Sequence, residues 1–422
     1  MFGDQITYGD PSWYQGSNSP YYQETHAVWR KRCRDFVEEQ ILPFVSDWEE
    51  QREIPRHVSI ACGKAGLLAC VAGKNAYDFL PQEQQNLKPA NFDYFHELVF
   101  IDELARCASG GVLWGLIEGL QIGLPPVLNF GSKSLQAECA RACLMGEKGI
   151  CLAITEAGAG SDVSAIASTA TRGETGYIVN FQKKFITGGI FSHFFTVAVK
   201  TSSDKISLLL LDRDMPCISM RRMACQGVWS SGTTFIEGVD VHVPFSRLIG
   251  TEGEGFKYIM KNFNHERWGF VVQANRLARM CLEESVKYAM KRKTFGKALI
   301  DHEVIRWKIA EMARQIEATH AWLESITFQM NTLPYEQAMT VLAGPISLMK
   351  AHSTKVFEYC AREASQIFGG NSYARSGMGE KIERMYRDVR AYAIPGGSEE
   401  ILLDLGVRQA VKRTQQAVQA KM

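Results

Sequence analysis

The spacing of apolar residues changes twice along the 422-residue chain, which predicts three structural zones. Between residues 23 and 150 apolar positions recur at helical spacing, as in ETHAVWRKRCRDFVEEQ, where Val28, Cys33, Phe36 and Val37 would share one buried face. Residues 1–22 are rich in Tyr, Ser, Gly and Pro, so we expect an irregular N-terminal arm there rather than a packed element.

From residue 151 to about 250 the apolar period becomes two. β-Branched residues are common in GYIVNF, HFFTVAVKT, ISLLLLD and TTFIEGVDVHV, and clusters of Gly, Ser, Asp and Pro separate these runs. This pattern predicts a small antiparallel sheet domain or barrel between two helical zones.

Helical spacing returns from residue 251 to residue 422. In IRWKIAEMARQIEATHAWLESI six apolar positions fall close to a heptad seam, which is typical of a bundle helix: Ile305, Ile309, Met312, Ile316, Leu323 and Ile326. Gly344-Pro345 predicts either a kink in the following helical stretch or a break between two shorter helices.

Composition excludes some classes of partner. The formal net charge of +1 argues against a global attraction to nucleic acid, and we expect no apolar span long enough to cross a membrane. The eleven cysteines include no C-x-x-C pair, and the closest two, Cys139 and Cys143, lie at helical spacing. We interpret them as buried thiols of a reduced intracellular protein, with a zinc site as the alternative, and predict no metal.

Both chain ends bear on localisation. The N-terminal segment contains acids and no arginine, which is typical of neither a secretory signal nor a mitochondrial presequence. Ala420-Lys421-Met422 has the small, basic, apolar form of the peroxisomal tripeptide, and the alternative is a plain helix end. We therefore expect a peroxisomal or cytoplasmic protein, and a mitochondrial one less.

The segment CLAITEAGAGSD (151–162) combines a strand with a glycine-rich turn. Leu152 and Ile154 alternate with smaller residues, and Gly158 and Gly160 then allow the backbone to approach a ligand closely. As a dinucleotide fingerprint the segment is weak, because only two glycines are in place and no helical opening follows. Taken alone, it is best interpreted as a plain turn.

Further motifs follow in a fixed order: GYIVNFQKKFITGG (176–189), HERWGF (265–270), KRKTFGK (291–297), QIFGG (366–370) and YRDVRAYAIPGGSEE (386–400). Together with CLAITEAGAGSD they resemble the acyl-CoA dehydrogenase family, flavoenzymes that desaturate acyl thioesters between Cα and Cβ. The resemblance covers roughly residues 25 to 415. The resemblance implies FAD, an acyl-CoA substrate, a homotetramer, and electron-transfer flavoprotein or oxygen as electron acceptor.

The resemblance also implies the fold, an α+β multidomain protein with an irregular arm (1–22), an N-terminal α-helical domain (23–150), a middle antiparallel β-domain (151–250) and a C-terminal four-helix bundle (251–422). Three groups of residues would serve the flavin ring. These are Leu152, Ile154 and Thr155 along the isoalloxazine, Gly160 and Ser161 at its junction with acyl-CoA, and Phe185 and Thr187 at its far face and edge. Ala157 stands where the family usually has proline.

A second set would bind the rest of FAD. By resemblance, Arg292 and Phe295 reach the pyrophosphate and adenine across a subunit boundary, and the planar guanidinium of arginine suits a diphosphate. Glu303 stands where the family commonly has glutamine, and a carboxylate suits a diphosphate poorly. The other half of this set consists of Gln366, Gly369, Gly370, Ser398 and Glu400.

The position of the catalytic base departs from most of the family. Gly396 occupies the position where most members carry the catalytic glutamate. Glu266-Arg267 matches a subgroup, including the isovaleryl-CoA and long-chain dehydrogenases, in which the glutamate precedes an arginine on an earlier helix. We therefore predict Glu266 as the general base, with Ser161, Arg267 and Gly396 at the substrate; a surface acid near a helix start is the alternative reading of Glu266.

Two other functions stay open. One is an oxidase or a specialised-metabolism dehydrogenase that uses the same flavin site, which rapid reaction of the reduced flavin with oxygen would reveal. The other is a non-catalytic scaffold that retains the fold, which a colourless protein without FAD would indicate.

Overall fold

A computed structural model describes residues 2–202 and 205–419. The α-helices are α1 (Glu24–Gln40), α2 (Val45–Gln51), α3 (Arg56–Lys64), α4 (Gln82–Gln85), α5 (Tyr94–Ala105), α6 (Gly110–Leu113), α7 (Pro125–Phe130), α8 (Lys133–Leu144), α9 (Gly255–Lys291), α10 (Glu303–Thr332), α11 (Tyr335–Val341), α12 (Ala343–Phe368), α13 (Glu380–Ala393) and α14 (Glu399–Gln419). The strands are β1 (Ile150–Ala153), β2 (Thr169–Arg172), β3 (Gly176–Ile186), β4 (Phe194–Ser202), β5 (Lys205–Asp212), β6 (Ile218–Arg222), β7 (Thr234–Pro244), β8 (Leu248–Ile249), β9 (Lys293–Thr294) and β10 (Lys297–Ala298).

The described chain divides into two compact units. The helical unit comprises residues 2–37, 93–110 and 267–419, and the sheet unit comprises residues 38–92 and 111–266 apart from 203 and 204. Helix α9 begins in the sheet unit and continues into the helical unit. The zone of residues 23–150 therefore contributes to both units.

The seam predicted in α10 is confirmed, because all six of its apolar positions are buried. The structure also decides between the two readings of Gly344-Pro345. Helix α11 ends at Val341 and α12 begins at Ala343, so the proline lies in the first turn of a new helix. Its missing N–H costs little there, because the first turn has no intrahelical acceptors for its N–H groups.

The buried face predicted for α1 is partly wrong. Val28 is 61% exposed, whereas Cys33 and Val37 are buried together with Arg30 and Arg34. A helical wheel places charged residues outside by default, and here arginines lie inside because buried acids and aromatic rings receive them.

The N-terminal arm, predicted to lie outside the packed elements, is packed in the structure. Tyr14 and Asp10 are buried, and Ser12–Gln15 forms a short 3-10 helix. The guanidinium of Arg30 lies 4.0 Å from the centre of the Phe2 ring, and that of Arg34 lies 4.5 Å from it. Cation–π contacts of this kind attach the arm to α1.

A buried ionic network joins the arm to three helices of the helical unit. Asp10 Oδ1 accepts hydrogen bonds from Arg34 Nη2 at 2.9 Å and from Arg276 Nη2 at 2.8 Å. Arg34 Nε also donates to Glu103 at 2.9 Å, and Arg276 Nη1 lies 3.5 Å from Asp102. Burial by itself would raise the pKa of Asp10, but Arg276 and Arg34 lower it far below its ordinary value.

The sheet unit is built on one sheet, in which neighbouring strands follow the order β6-β7-β3-β2-β4-β5-β8 and β1 lies beside β4. Most pairs are antiparallel, as predicted, and β4 runs parallel to both β1 and β2. Alternate side chains of these strands form an apolar core that includes Cys151, Ala153, Val179, Phe181 and Val197. This core holds β1, and with it the start of the glycine-rich turn.

A π-helical segment, Trp114–Gly123, packs on β1 in the sheet unit. A Cβ atom on Gly119 would lie 2.0 Å from the carbonyl oxygen of Ile150, so the helix and strand backbones meet at a glycine. Thr196 Oγ1 of β4 also donates to the carbonyl of Gly123, at 2.8 Å. Strand β1 is thus fixed between β4 and the π-helical segment.

The expectation that the chain contains no membrane-length apolar segment requires a correction. The segment Gly110–Phe130 is long and apolar enough to cross a bilayer, and 78% of its most apolar window is buried inside the protein. Burial of this kind is what the core helix of a folded domain shows.

Replacing Asp10 by Asn should destabilise the protein strongly, because Arg34 and Arg276 would lose a buried counter-charge. We expect the free energy of unfolding to fall by about 3 kcal/mol, the lower end for breaking a buried ion pair from one side. Chemical denaturation measures this change. Asp35→Asn is the control, because Asp35 pairs with Lys31 on the surface, where a pair contributes at most about 1 kcal/mol. Equal losses of unfolding free energy in the two variants would contradict the prediction that the buried ion pairs of Asp10 contribute more than the surface pair of Asp35.

Candidate functional site

The predicted site residues fall into two groups, one in each unit, and each group is described by itself. In the sheet unit, β1 leads into the turn at residues 154–162. Leu152 and Thr155 are half-buried, Ile154 is buried, and Gly160 and Ser161 are exposed. The turn therefore exposes three kinds of group to solvent: part of an apolar side chain (Leu152), hydroxyls (Thr155 and Ser161) and backbone (Gly160).

Two backbone hydrogen bonds shape this turn. Glu156 N–H donates to Ala159 C=O at 3.0 Å, and Ala159 N–H donates back to Glu156 C=O at 3.3 Å. Ala157 and Gly158 are exposed, so the residue that replaces the family's proline lies at the surface of the turn. Among the described residues, leaving out each glycine and its two chain neighbours, no heavy atom lies within 4 Å of a Cβ built on Gly158 or Gly160, so the space beside the turn is open there.

The side chains of Lys183 and Glu156 form an ion pair beneath the turn. Lys183 Nζ donates to Glu156 Oε1 at 2.7 Å and to the carbonyl of Ile154 at 3.0 Å. The other oxygen of Glu156 accepts from the Ala167 N–H at 2.6 Å, and Ser168 Oγ donates to Oε1 at 2.5 Å. The Glu156 carboxylate thus connects the turn to β3 and to the chain that enters β2.

Burial and hydrogen bonding act oppositely on these two charges. Burial would raise the pKa of Glu156, but its hydrogen bonds from Lys183, Ser168 and Ala167 lower it overall. Burial lowers the pKa of Lys183 to about 8, against the effect of the neighbouring carboxylate. Reasoning from the sequence missed this pair. The signal was available, because Lys183 follows Val179 and Phe181 at alternate positions in β3 and so points to the same buried side of the strand, where a lysine is unexpected.

Phe185 lies at a bulge in β3. The register between β3 and β7 shifts between Lys183 and Ile186, and Phe185 has a φ of +61°, which is uncommon for a large side chain. The bulge turns the Phe185 ring outward, where it is 55% exposed, while Lys183 stays inside. Thr187 follows, half-buried. The structure therefore places an aromatic surface and a hydroxyl together at the end of β3.

Glu266 is buried on α9, in the part of the helix that belongs to the sheet unit. One turn earlier on the same face, Asn262 Nδ2 donates to the carbonyl of Gln121 in the π-helical segment at 2.9 Å. The face of α9 that carries Glu266 is therefore directed toward that segment. A buried position differs from the surface acid that was the alternative reading.

In the helical unit, two cationic side chains hold the turn that contains Gly396. Arg267 Nε donates to the carbonyl of Gly396 at 2.7 Å. Lys350 Nζ donates to the carbonyls of Ala393 at 3.2 Å and of Gly397 at 3.1 Å. Gly396 has a φ of +67°, a conformation that glycine adopts easily and other residues adopt with strain.

Arg292 and Phe295 lie on a short hairpin formed by β9 and β10. Phe295 and Gly296 are its two central residues, with φ values of +50° and +81°, and the first of these is a position that usually carries Asn, Asp or Gly. Phe295 is 97% exposed and Arg292 is exposed beside it. A strained, fully exposed aromatic residue next to an arginine is better explained by a ligand or partner than by folding.

The QIFGG motif lies close to Arg292 through one tyrosine. The Tyr288 ring stacks on Phe368 with a centroid distance of 4.2 Å, and its hydroxyl accepts from Asn371 Nδ2 at 3.0 Å. The Arg292 N–H donates to the Tyr288 carbonyl at 2.9 Å. Gly369, Gly370 and Gln366 are exposed at the end of α12, and Tyr288, one helical turn before Arg292, packs against this motif.

The remaining predicted positions lie at helix starts. Glu303 is the first residue of α10, and Glu400 is in the first turn of α14 next to Ser398. Negative charge is favourable at these positions because it interacts with the helix dipole. Both glutamates are exposed, and the helix dipole explains a negative charge at each position without a cofactor.

One cluster of the metal-ligand type occurs among the described residues, formed by His26, Asp93 and His96. The Gln23 N–H donates to His26 Nδ1 at 2.8 Å, so His26 Nε2 carries a proton and donates to Asp93 at 3.0 Å. Asp93 and His96 form the capping box of α5. The cluster is thus explained as a helix cap.

The described residues fit a flavin dinucleotide by the chemistry of their donors. For a planar polar ring, the sheet unit offers the exposed Phe185 ring and the half-buried hydroxyl residues Thr155 and Thr187. The helical unit offers Arg292 for phosphate oxygens, with Phe295 exposed for stacking.

Family comparisons agree with these motifs along the chain. Residues 23–147 match the N-terminal domain of acyl-CoA dehydrogenases, residues 151–239 match the middle domain, and residues 253–411 match the C-terminal domain. The chain is 38% identical over 423 residues to the acyl-CoA dehydrogenase apdG of Emericella nidulans, an alignment that covers 96% of this chain and 95% of that relative. It is 36% identical to the acyl-CoA dehydrogenase AFT10-1 of Alternaria alternata, over 98% of this chain and 97% of that relative.

Solved structures give the same result. A probable acyl-CoA dehydrogenase from Mycobacterium abscessus superposes with a TM-score of 0.84 at 31% identity, covering 92% of this chain and 100% of that one. The butyryl-CoA dehydrogenase of Megasphaera elsdenii superposes with a TM-score of 0.81 at 24% identity, covering 93% and 100%, a likeness that concerns the fold alone.

Proposed function

The chain belongs to the acyl-CoA dehydrogenase family, and from this premise we propose that it uses FAD to oxidise an acyl-CoA thioester to the enoyl-CoA. The single observation that supports this most is the buried Glu266 on α9, combined with a glycine at the position where most members carry the base. Glu266 removes the α-proton, and bound FAD supplies the acceptor for the β-hydride.

The residues around Gly396 take part in binding. Arg267 holds the Gly396 carbonyl, which fixes the direction of the peptide groups in this turn. Together with Ser161, these two residues contact the thioester end of the substrate in our proposal. The turn thus keeps a binding role although it has no carboxylate.

Leu152, Ile154, Thr155, Gly160, Phe185 and Thr187 serve the isoalloxazine ring in this proposal. Arg292 and Phe295 serve the pyrophosphate and adenine, with Gln366, Gly369, Gly370, Ser398 and Glu400. Glu303 is the weakest member of the set, because its charge opposes a diphosphate and its position at a helix start explains it otherwise. The assembly is a homotetramer in which Arg292 acts across a subunit boundary.

Glu266→Gln tests the base. The variant keeps the shape of the side chain and removes its basicity, so FAD and acyl-CoA should bind while flavin reduction slows at least ~100-fold. Stopped-flow bleaching of the flavin by a panel of acyl-CoA esters measures the rate. Adding Gly396→Glu should restore part of it, limited by the positive φ at this position. Unchanged reduction in the single variant would show that another residue is the base.

Arg292→Ala tests the shared cofactor site. Loss of a charged donor to the diphosphate should weaken FAD binding at least about tenfold and loosen the oligomer at the same time. Flavin content and analytical ultracentrifugation measure the two effects. Arg314→Ala is the control, since Arg314 pairs with Glu311 on the exposed face of α10. A monomeric Arg292→Ala protein with full FAD would contradict the proposal.

The proposal for localisation is a peroxisomal enzyme, with a cytoplasmic one as the alternative. It rests on Ala420-Lys421-Met422, which lies outside the described residues. A tag fused to the C-terminus should leave the protein in the cytosol, whereas a tag at the N-terminus should leave it in peroxisomes. Microscopy of both fusions decides. Hydrogen peroxide formed during turnover would favour oxygen over electron-transfer flavoprotein as acceptor, and its absence in air would count against oxygen.

A further inference from the structure

Lys183 is fully buried beneath a turn whose tip is exposed, and its partner Glu156 is half-buried. The ammonium of Lys183 contacts the turn at two points, the Glu156 carboxylate and the Ile154 carbonyl. Removing a charge from water is costly unless it is paired, and a methionine of similar length would pack there without that cost. The placement of a charge behind this turn therefore calls for a functional explanation.

The contact with the Ile154 carbonyl acts on the next residue. The Ile154 carbonyl and the Thr155 N–H belong to one peptide group, so an ammonium 3.0 Å from the oxygen polarises the N–H at the other end. The Thr155 carbonyl in turn accepts from the Lys184 N–H at 2.8 Å. Both peptide groups that flank Thr155 are thus oriented by β3, one through a charged donor.

Glu156 partly neutralises the charge of Lys183 and holds the turn in place through hydrogen bonds. Its carboxylate lies 2.7 Å from the ammonium and also accepts from the backbone N–H groups of Ala167 and Ser168, at 2.6 Å and 3.2 Å. The loop between Glu156 and Ala167 is therefore closed at its base while its tip stays exposed. The two charges do different things: the lysine strengthens a donor, and the glutamate partly offsets the lysine.

We propose that Lys183 and Glu156 are positioning residues that set the reduction potential of the bound flavin in opposite directions. The inference rests on the proposed function, in which Thr155 borders the isoalloxazine ring. Reduction adds negative charge to the ring, so a stronger N–H donor and a nearby ammonium favour the reduced form. The carboxylate of Glu156 disfavours it.

Three variants test the proposal: Lys183→Met, Glu156→Gln, and the two combined. At a fixed potential, Lys183→Met should shift the ratio of reduced to oxidised flavin about tenfold toward the oxidised form, a coupling of ordinary size between two sites in one protein. Glu156→Gln, compared at a pH low enough to keep Lys183 protonated, should shift the ratio toward the reduced form because the lysine charge is then unopposed, and the double variant should lie near the wild type. Equilibration with a reference dye measures the ratio spectroscopically.

Lys148→Met is the matched control, because Lys148 is an exposed lysine of the same unit and should leave the ratio unchanged. If Lys183→Met does not fold, the isosteric Glu156→Gln still tests the sign. Shifts of both single variants in the same direction, or no shift in either with FAD retained, would overturn the proposal. A wild-type protein that takes up no FAD would instead refute the proposed function, so the two failures are distinguishable.

Discussion

The conformation of the candidate flavin turn depends on one interaction, the hydrogen-bonded ion pair of Lys183 and Glu156 inside the sheet unit. Its ammonium fixes the carbonyl of Ile154, and its carboxylate closes the loop at Ala167. Strand β1 delivers the turn, held between β4 and the π-helical segment. A turn with an exposed glycine tip has little packing of its own, so charged donors and acceptors beneath it replace packing.

In the helical unit, too, cationic side chains hold a glycine-containing turn by its carbonyl groups. The turn at residues 393–397 contains two glycines with positive φ, and Arg267 and Lys350 hold three of its carbonyls. A glycine-rich backbone is mobile unless its polar groups are bonded, because glycine loses more conformational freedom on folding than other residues. In both turns a long cationic side chain reaches from a regular element and bonds backbone carbonyls. The N-terminal arm is attached by a related network around Asp10.

These buried charges explain where reasoning from the sequence succeeded and where it failed. The seam of α10 is apolar throughout, so its period alone predicted its burial. In helix α1 the buried face includes Arg30 and Arg34. Reasoning from apolar period alone passed over these two arginines and selected Val28, which is exposed. An apolar side chain can be assigned to a core from its own chemistry. A charged one can be assigned there only when its partner is known.

The sequence by itself determined the helix, sheet, helix order and the family, because periodicity is local and the order of the motifs survives without coordinates. It also identified Glu266 as the candidate base, through the glycine at position 396. Only the tertiary structure decided that Lys183 lies beneath the turn, that a bulge turns Phe185 outward, and that Tyr288 stacks on Phe368 of the QIFGG motif. Those facts depend on contacts between residues distant in the chain, and no local pattern encodes which partner a buried charge or a bulged strand will meet.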